Sequence, residues 1–107
     1  MDLFKEITEL DKLLHEPSRL AILTALSSCK SADFLFLQRL TGMSKGNLSG
    51  HLSKLEEAGL IEIQKSFIGK MPNTNVSLTK RGLKAINVHW KKLEELRHGA
   101  KTWKPEN

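Results

Sequence analysis

The strongest constraint on this chain is a change of hydrophobic period. Up to residue 60 the apolar residues recur at steps of three and four. From there Leu60, Glu62, Gln64 and Ser66 alternate with Ile61, Ile63, Lys65 and Phe67, and after Thr79 the longer steps return at Leu83, Ile86, Trp90 and Leu93. A period near 3.6 suits a helix with one buried face, and a period of two suits a strand. The chain must therefore place extended structure between helices. Val76 to Leu78 offers a second short extended run, and the turn-rich Ile68-Gly69-Lys70-Met71-Pro72-Asn73 lies between the two, so a β-hairpin is predicted.

Four helices are predicted ahead of the hairpin. Leu3, Ile7, Leu10 and Leu14, with Phe4 and Leu13 beside them, form an amphipathic stripe that Glu16-Pro17-Ser18-Arg19 interrupts, because proline fits a first helical turn and breaks an interior. A second helix runs from Pro17 to about Ser28, burying Leu20, Leu23, Ala21 and Leu26. Ser31-Ala32-Asp33 offers caps for a third, Phe34 to about Thr41, with Phe34, Leu37 and Leu40 on one face and Gly42 as its stop. Ser44 caps a fourth, roughly Lys45 to Ala58, with Leu48, Leu52 and Leu55 inward and Gly59 at its end. Thr79 caps a last helix reaching about Arg97, and the tail from Gly99 to Asn107 has no pattern. The expected fold is mainly α with a small β-hairpin, an α+β class of about five helices and a two-stranded wing. It forms one domain over residues 1–98, followed by a tail over 99–107.

The fourth helix raises a question of chemistry. It keeps Gly46 and Gly50 among small polar residues, although each glycine costs a helix roughly 1 kcal/mol relative to alanine. Two short helices joined by a glycine-containing turn, here Gly42-Met43-Ser44, form the helix-turn-helix unit, whose second helix can lie in the DNA major groove. Small residues let the backbone approach bases and phosphates, polar side chains supply donors and acceptors, and the helix N-terminus favours an anion. The DNA-binding candidates on this helix are Ser44, Lys45, Gly46, Asn47, Ser49, Gly50, His51, Ser53 and Lys54; on the wing they are Lys65, Lys70, Asn73 and Thr74. Two blander readings stand beside this one: the glycines permit close packing against another helix, and the hairpin is an ordinary solvated one.

The charge balance agrees with a polyanionic partner. The formal net charge is +5, and residues 1–30 carry four Lys/Arg against five Asp/Glu whereas residues 31–107 carry thirteen against seven. Cys29 is the single cysteine, which excludes an intramolecular disulfide and a CxxC pair and suits a reducing, cytoplasmic setting. MDLFKEITEL is acidic from its second residue and lacks a long apolar run, so neither a signal peptide nor a membrane span is expected.

The run His15-Glu16-Pro17-Ser18-Arg19-Leu20-Ala21-Ile22-Leu23 resembles the P-x-R-x-x-I-L second helix of winged-helix regulators of the ArsR and MarR type. Asp33 through Leu60, above all Ser44 to Leu60, is similar to the recognition region of MarR-like regulators. Phe67 to Thr74 and Leu78-Thr79-Lys80-Arg81-Gly82 are similar to that group's wing and the start of its final helix. The likeness covers about residues 13–97 and implies a winged helix-turn-helix fold and double-stranded DNA binding. One departure is that the group's wing usually carries arginine or lysine around the proline, where this chain has Met71, Asn73 and Asn75, which predicts weaker wing contacts.

Other residues invite chemistry without supporting it. Cys29 is read as a small residue filling space at a helix end, with redox sensing as the alternative. ArsR-like repressors often hold metal ions between the last helices of a dimer. Here His89 and His98 stand nine residues apart with no i, i+4 pair, and the paired cysteines of the arsenic- and cadmium-sensing members are missing. No metal, cofactor or catalytic set is therefore expected, and the chain does not read as an enzyme. The stripes Leu3, Ile7, Leu10, Leu14 and Ile86, Trp90, Leu93 exceed what so small a core can cover, so a homodimer is expected, with packing inside one chain as the alternative. Two-fold symmetry would place two recognition helices on a pseudo-palindromic operator, with repression by occupancy or activation both open. A winged-helix protein-interaction module without sequence-specific DNA binding is the competing function.

Overall fold

A computed structural model describes residues 2–105. The elements run α1 (Leu3–Thr8), α2 (Pro17–Leu26), β1 (Ala32–Asp33), α3 (Phe34–Thr41), α4 (Lys45–Glu57), β2 (Ile61–Ile68), β3 (Met71–Leu78) and α5 (Lys80–Thr102). The five helices and the hairpin are those the hydrophobic period requires. The sheet has a third strand, β1, whose two residues pair with Val76 and Asn75, giving the antiparallel order β1-β3-β2.

Local chemistry sets most of the helix ends. The Asp33 carboxylate accepts from the Phe36 amide at 2.7 Å, Ser44 Oγ from Asn47 at 3.2 Å and Thr79 Oγ1 from Gly82 at 3.0 Å, each satisfying an amide that a helix N-terminus leaves without a partner. Glu16 caps α2 through Ser18 and Arg19, with Pro17 in the first turn. Gly42 and Gly59 take φ of 72° and 76°, the left-handed conformation that closes α3 and follows α4.

The first helix is shorter than its stripe predicts. It ends at Thr8 because the Asp11 carboxylate accepts from the amides of Leu13 and Leu14 at 2.8 and 3.4 Å, a local turn that competes with helical bonding. The last helix is longer. α5 runs to Thr102, through the beginning of the segment that shows no spacing pattern, and Trp103 packs edge-on against Phe4 with ring centroids 5.0 Å apart. Residues 106 and 107 of that tail lie outside the described residues.

The core joins Ile22, Leu23 and Leu26 of α2 to Leu37, to Leu48, Leu52 and Leu55 of α4, to Leu60, Ile61 and Val76 at the sheet's base, and to Ile86. Four expectations change here. Ile22 rather than Ala21 turns inward on α2, and Leu40 projects outward at 56% exposure. Leu14 and Ile86, expected at a dimer interface, are 6% and 0% exposed and belong to their own chain's core. An amphipathic stripe says that a residue is covered without saying by which copy.

Gly82 fixes where α5 begins. A Cβ there would lie 1.9 Å from the Leu60 carbonyl oxygen, so only glycine lets the first turn of α5 cross the link between α4 and β2. The molecule measures 69 × 26 × 21 Å, with a radius of gyration of 16.8 Å. A compact domain of this length would have about 13 Å. The excess reflects two projecting parts, the wing and α5.

Candidate nucleic-acid interface

With Leu48, Leu52 and Leu55 buried, α4 turns Lys45, Gly46, Asn47, Ser49, Gly50, Ser53 and Lys54 to the exterior, and the capping Ser44 is exposed as well. A Cβ built at Gly46 or Gly50 would meet nothing within 4 Å. Among the described residues nothing packs on those glycines, and the close-packing alternative gains no support from them.

His51 is the exception on this helix. It lies three residues after Leu48 and four before Leu55, so it shares their side rather than the outer face. The structure turns it toward the start of α2, where its Nδ1 lies 3.2 Å from Arg19 Nη1 and 3.6 Å from Glu16 Oε2. His51, expected among the DNA-binding residues, is thus placed at the junction with α2.

Arg19, which the spacing does not single out, is 9% exposed and holds this junction together. Its Nε donates to the Leu13 carbonyl at 2.6 Å and its Nη2 to the Lys12 carbonyl at 3.1 Å. Burial raises the Glu16 carboxyl, but the amides of Arg19 and Ser18, with the charges of His51 when protonated and of Arg19, outweigh it and hold the group below its ordinary value of 4.5. Glu16, Arg19 and His51 thus bolt the recognition helix to the N-terminus of α2. Only the P-x-R run hinted at this.

The wing is an eight-residue ladder on each strand, from Ile61↔Leu78 to Ile68↔Met71, closed by Gly69 and Lys70 with Gly69 at φ 64°. Positive φ at the first central residue alone is the pattern of a type II′ hairpin turn. A groove of about 460 Å³ runs between this hairpin and the helices, with Lys45, Ser49 and Ser53 on one wall and Lys65, Asn73 and Thr74 on the other. Gln38 and Leu35 of α3 also border it, and neither was expected at this site. Gly46, Asn47, Gly50 and Lys54 lie outside this groove on the exposed surface of α4, and Lys70 sits at the far tip of the wing.

Away from this groove, α1 and α5 leave Phe4, Ile7, Leu83, Val88 and Trp90 exposed, while Leu3, Leu10 and Leu93 are half-buried. Trp90 Nε1 donates to Thr24 Oγ1 at 2.9 Å, and Lys92 Nζ to Glu6 Oε1 at 2.6 Å. His89 is buried and its Nε2 lies 3.2 Å from His15 Nδ1, a packed and hydrogen-bonded place, whereas His98 is exposed. Cys29 is exposed too, its thiol directed at the Ala25 carbonyl at 3.6 Å, so it does not fill space. Among the described residues no group of three His, Cys, Asp or Glu side chains is placed to hold a metal ion, and no helix is long and apolar enough to cross a membrane.

A family model described as a winged helix DNA-binding domain matches residues 18–97. A protein of Methanocaldococcus jannaschii described only as uncharacterized is 34% identical over 71 residues, which are 66% of this chain and 77% of that one. The structure of a transcriptional regulator homologue from Pyrococcus horikoshii superposes with a TM-score of 0.83 at 30% identity, over 94% of this chain and 98% of that one. A MarR-family protein from Porphyromonas gingivalis, described as a transcriptional regulator, shares the fold at a TM-score of 0.63 and 20% identity, over 85% and 84%. The chain belongs to the winged helix DNA-binding domain family and shares its fold with transcriptional regulators of the MarR type.

Proposed function

We propose that this protein is a sequence-specific double-stranded DNA-binding regulator that acts in the cytoplasm as a homodimer on a pseudo-palindromic operator and represses by occupying it. The observation that carries the reading is the open surface over Gly46 and Gly50, where two helix-weakening residues face outward and, among the described residues, an added Cβ would meet nothing within 4 Å. Close approach by an external backbone is the use such a surface has. Asn47 is the candidate for a bidentate contact to adenine, and Lys45 and Lys54 for phosphates, with Ser44, Ser49 and Ser53 as further donors and acceptors. Lys65, Lys70, Asn73 and Thr74 follow the duplex backbone from the wing.

The exposed apolar residues of α1 and α5, with Leu3, Leu10, Leu93 and Trp90 among them, are the surface on which a second copy would pack. The test combines sedimentation at micromolar concentration with hydroxyl-radical footprinting on a bound duplex. A dimer protecting two patches on one face, about one helical turn apart, is expected. A 12.1 kDa monomer protecting a single patch would remove the dimer, and binding without any protected patch would remove sequence-specific recognition.

A further inference from the structure

The tip of the wing has a chemistry that the recognition helix lacks. Phe67, Ile68 and Met71 are 73%, 69% and 70% exposed, side by side at the end of the hairpin. Single exposed apolar residues are ordinary, but here three crowd one projecting tip, divided by the strand register between its two faces.

The register gives the patch a direction. Residues paired across the ladder share a face, and faces alternate along each strand. Phe67 with Pro72 therefore lies on the same face as Lys65 with Thr74, the face that borders the groove beside α4, whereas Ile68 and Met71 lie on the reverse. Next to a two-residue turn the closing pair Ile68–Met71 exchanges the hydrogen bonds, and the pair beyond it, Phe67–Pro72, does not. Pro72 therefore forfeits no bond, and it stands opposite Phe67 at the closer of the two spacings.

The surroundings of the patch select its partner. Residues 63–78 contain Lys65 and Lys70 and no Asp or Glu, so the whole outer wing is cationic. An aromatic ring between lysines, on an arm beside the recognition helix, matches a minor groove, in which two rows of phosphate flank a floor of base edges. That groove is about 6 Å wide. It admits one side chain from the tip and excludes the two-stranded body of the wing.

Resting on the DNA-binding reading above, we propose that Phe67 is a wedge, inserted from the minor groove at a base step flanking each half-site, which it partly unstacks so that the duplex bends toward the major groove. Flexible pyrimidine–purine steps should then be favoured at that flank, although no polar group reads them.

The test uses the full chain and a duplex recovered by binding selection, carrying end labels for energy transfer and 2-aminopurine at the flanking steps. Phe67→Ala removes the wedge, Lys65→Ala removes a nearby charge, and Ile68→Ala alters the reverse face; all three sites are exposed and outside the core. The wild type is expected to shorten the end-to-end distance and brighten 2-aminopurine at one step per half-site. Phe67→Ala should lose both signals and about tenfold in affinity, as stacking contacts do, with the salt dependence unchanged. Lys65→Ala should keep both signals and lower the salt slope by about one, and Ile68→Ala should behave as wild type. A wild-type complex that is straight, or a Phe67→Ala complex as bent and as tight as wild type, overturns the wedge and leaves DNA binding intact. A change in oligomeric state with no change in bending shows that the tip meets a second copy, which also overturns it. Failure of the wild type to bind any duplex overturns both readings.

Discussion

The recognition helix and the wing border one groove, yet they are held by opposite means. α4 is anchored by three leucines that are essentially fully buried and by the polar bolt of His51, Arg19 and Glu16. The wing is anchored at its base by Ile61, Val76 and the short β1 pairing, and beyond Ile63 on β2 every residue to the turn is exposed. A helix so firmly seated can carry two outward glycines and still hold its place. A two-stranded ribbon has little stability of its own beyond its anchored end. On the proposed function, the first would present fixed chemistry to base edges, and the second would adapt to the shape of what it touches.

The contrast is sharpest in stability. Leu48→Ala removes a fully buried side chain and is expected to cost about 2–5 kcal/mol. Phe67→Ala, at an exposed site, should stay within about 0.5 kcal/mol. Urea unfolding of both variants checks this, and equal losses would mean that the wing tip is packed.

Within the helix, Asn47→Ala should cost about 1–3 kcal/mol and relax preference at one base position. Lys54→Ala should weaken binding to all duplexes alike and reduce the salt slope by about one. Binding titrations on matched and mismatched duplexes at two salt concentrations separate the pair. Equal effects of both variants on every sequence would contradict the division of roles.

Gly50→Ala carries the opposition between stability and function. Its added methyl meets nothing within 4 Å, so the free protein should gain about 1 kcal/mol of stability while losing affinity for DNA. A variant that binds as well as wild type would show that no close approach occurs there.

The smallest expected effect is a dependence on pH away from the interface. Burial, and then the charge of His15, hold His89 below its ordinary value of 6.5 against the opposing pull of Asp11. Its neutral form is thus favoured by folding. The corresponding stability is complete above 6.5 and is lost as pH falls from there through the lowered value. Unfolding midpoints between pH 7 and pH 5 should decline, and less steeply in His89→Gln.

The parts legible in the sequence are those fixed by local chemistry. Ser44, Thr79, Gly42 and Gly59 mark helix ends through caps and left-handed turns that need no knowledge of distant residues, and the leucines of α4 identify its inner face. The illegible parts depend on tertiary context. The two residues of β1 are too few to show a period, and Met71 to Asn75 read as a turn and loop because the outer wing lacks the buried face that makes alternation visible. Leu14 and Ile86 looked like interface residues because a stripe cannot name its cover, and His51 was grouped with the polar run around it although its helical spacing sets it on the leucines' side. At the site, Arg19 entered only as part of the P-x-R run, because a buried arginine bonded to backbone carbonyls looks in sequence like any surface cation.

The central claim is that α4 reads base edges on DNA. Selecting bound sequences from a random duplex pool at near-physiological salt, with wild-type protein and sequencing as the readout, tests it most directly. The account predicts a two-fold symmetric motif with half-sites about one turn apart. Recovery of an unenriched pool, with affinity collapsing steeply as salt rises, would mean that only phosphates are felt and would contradict it.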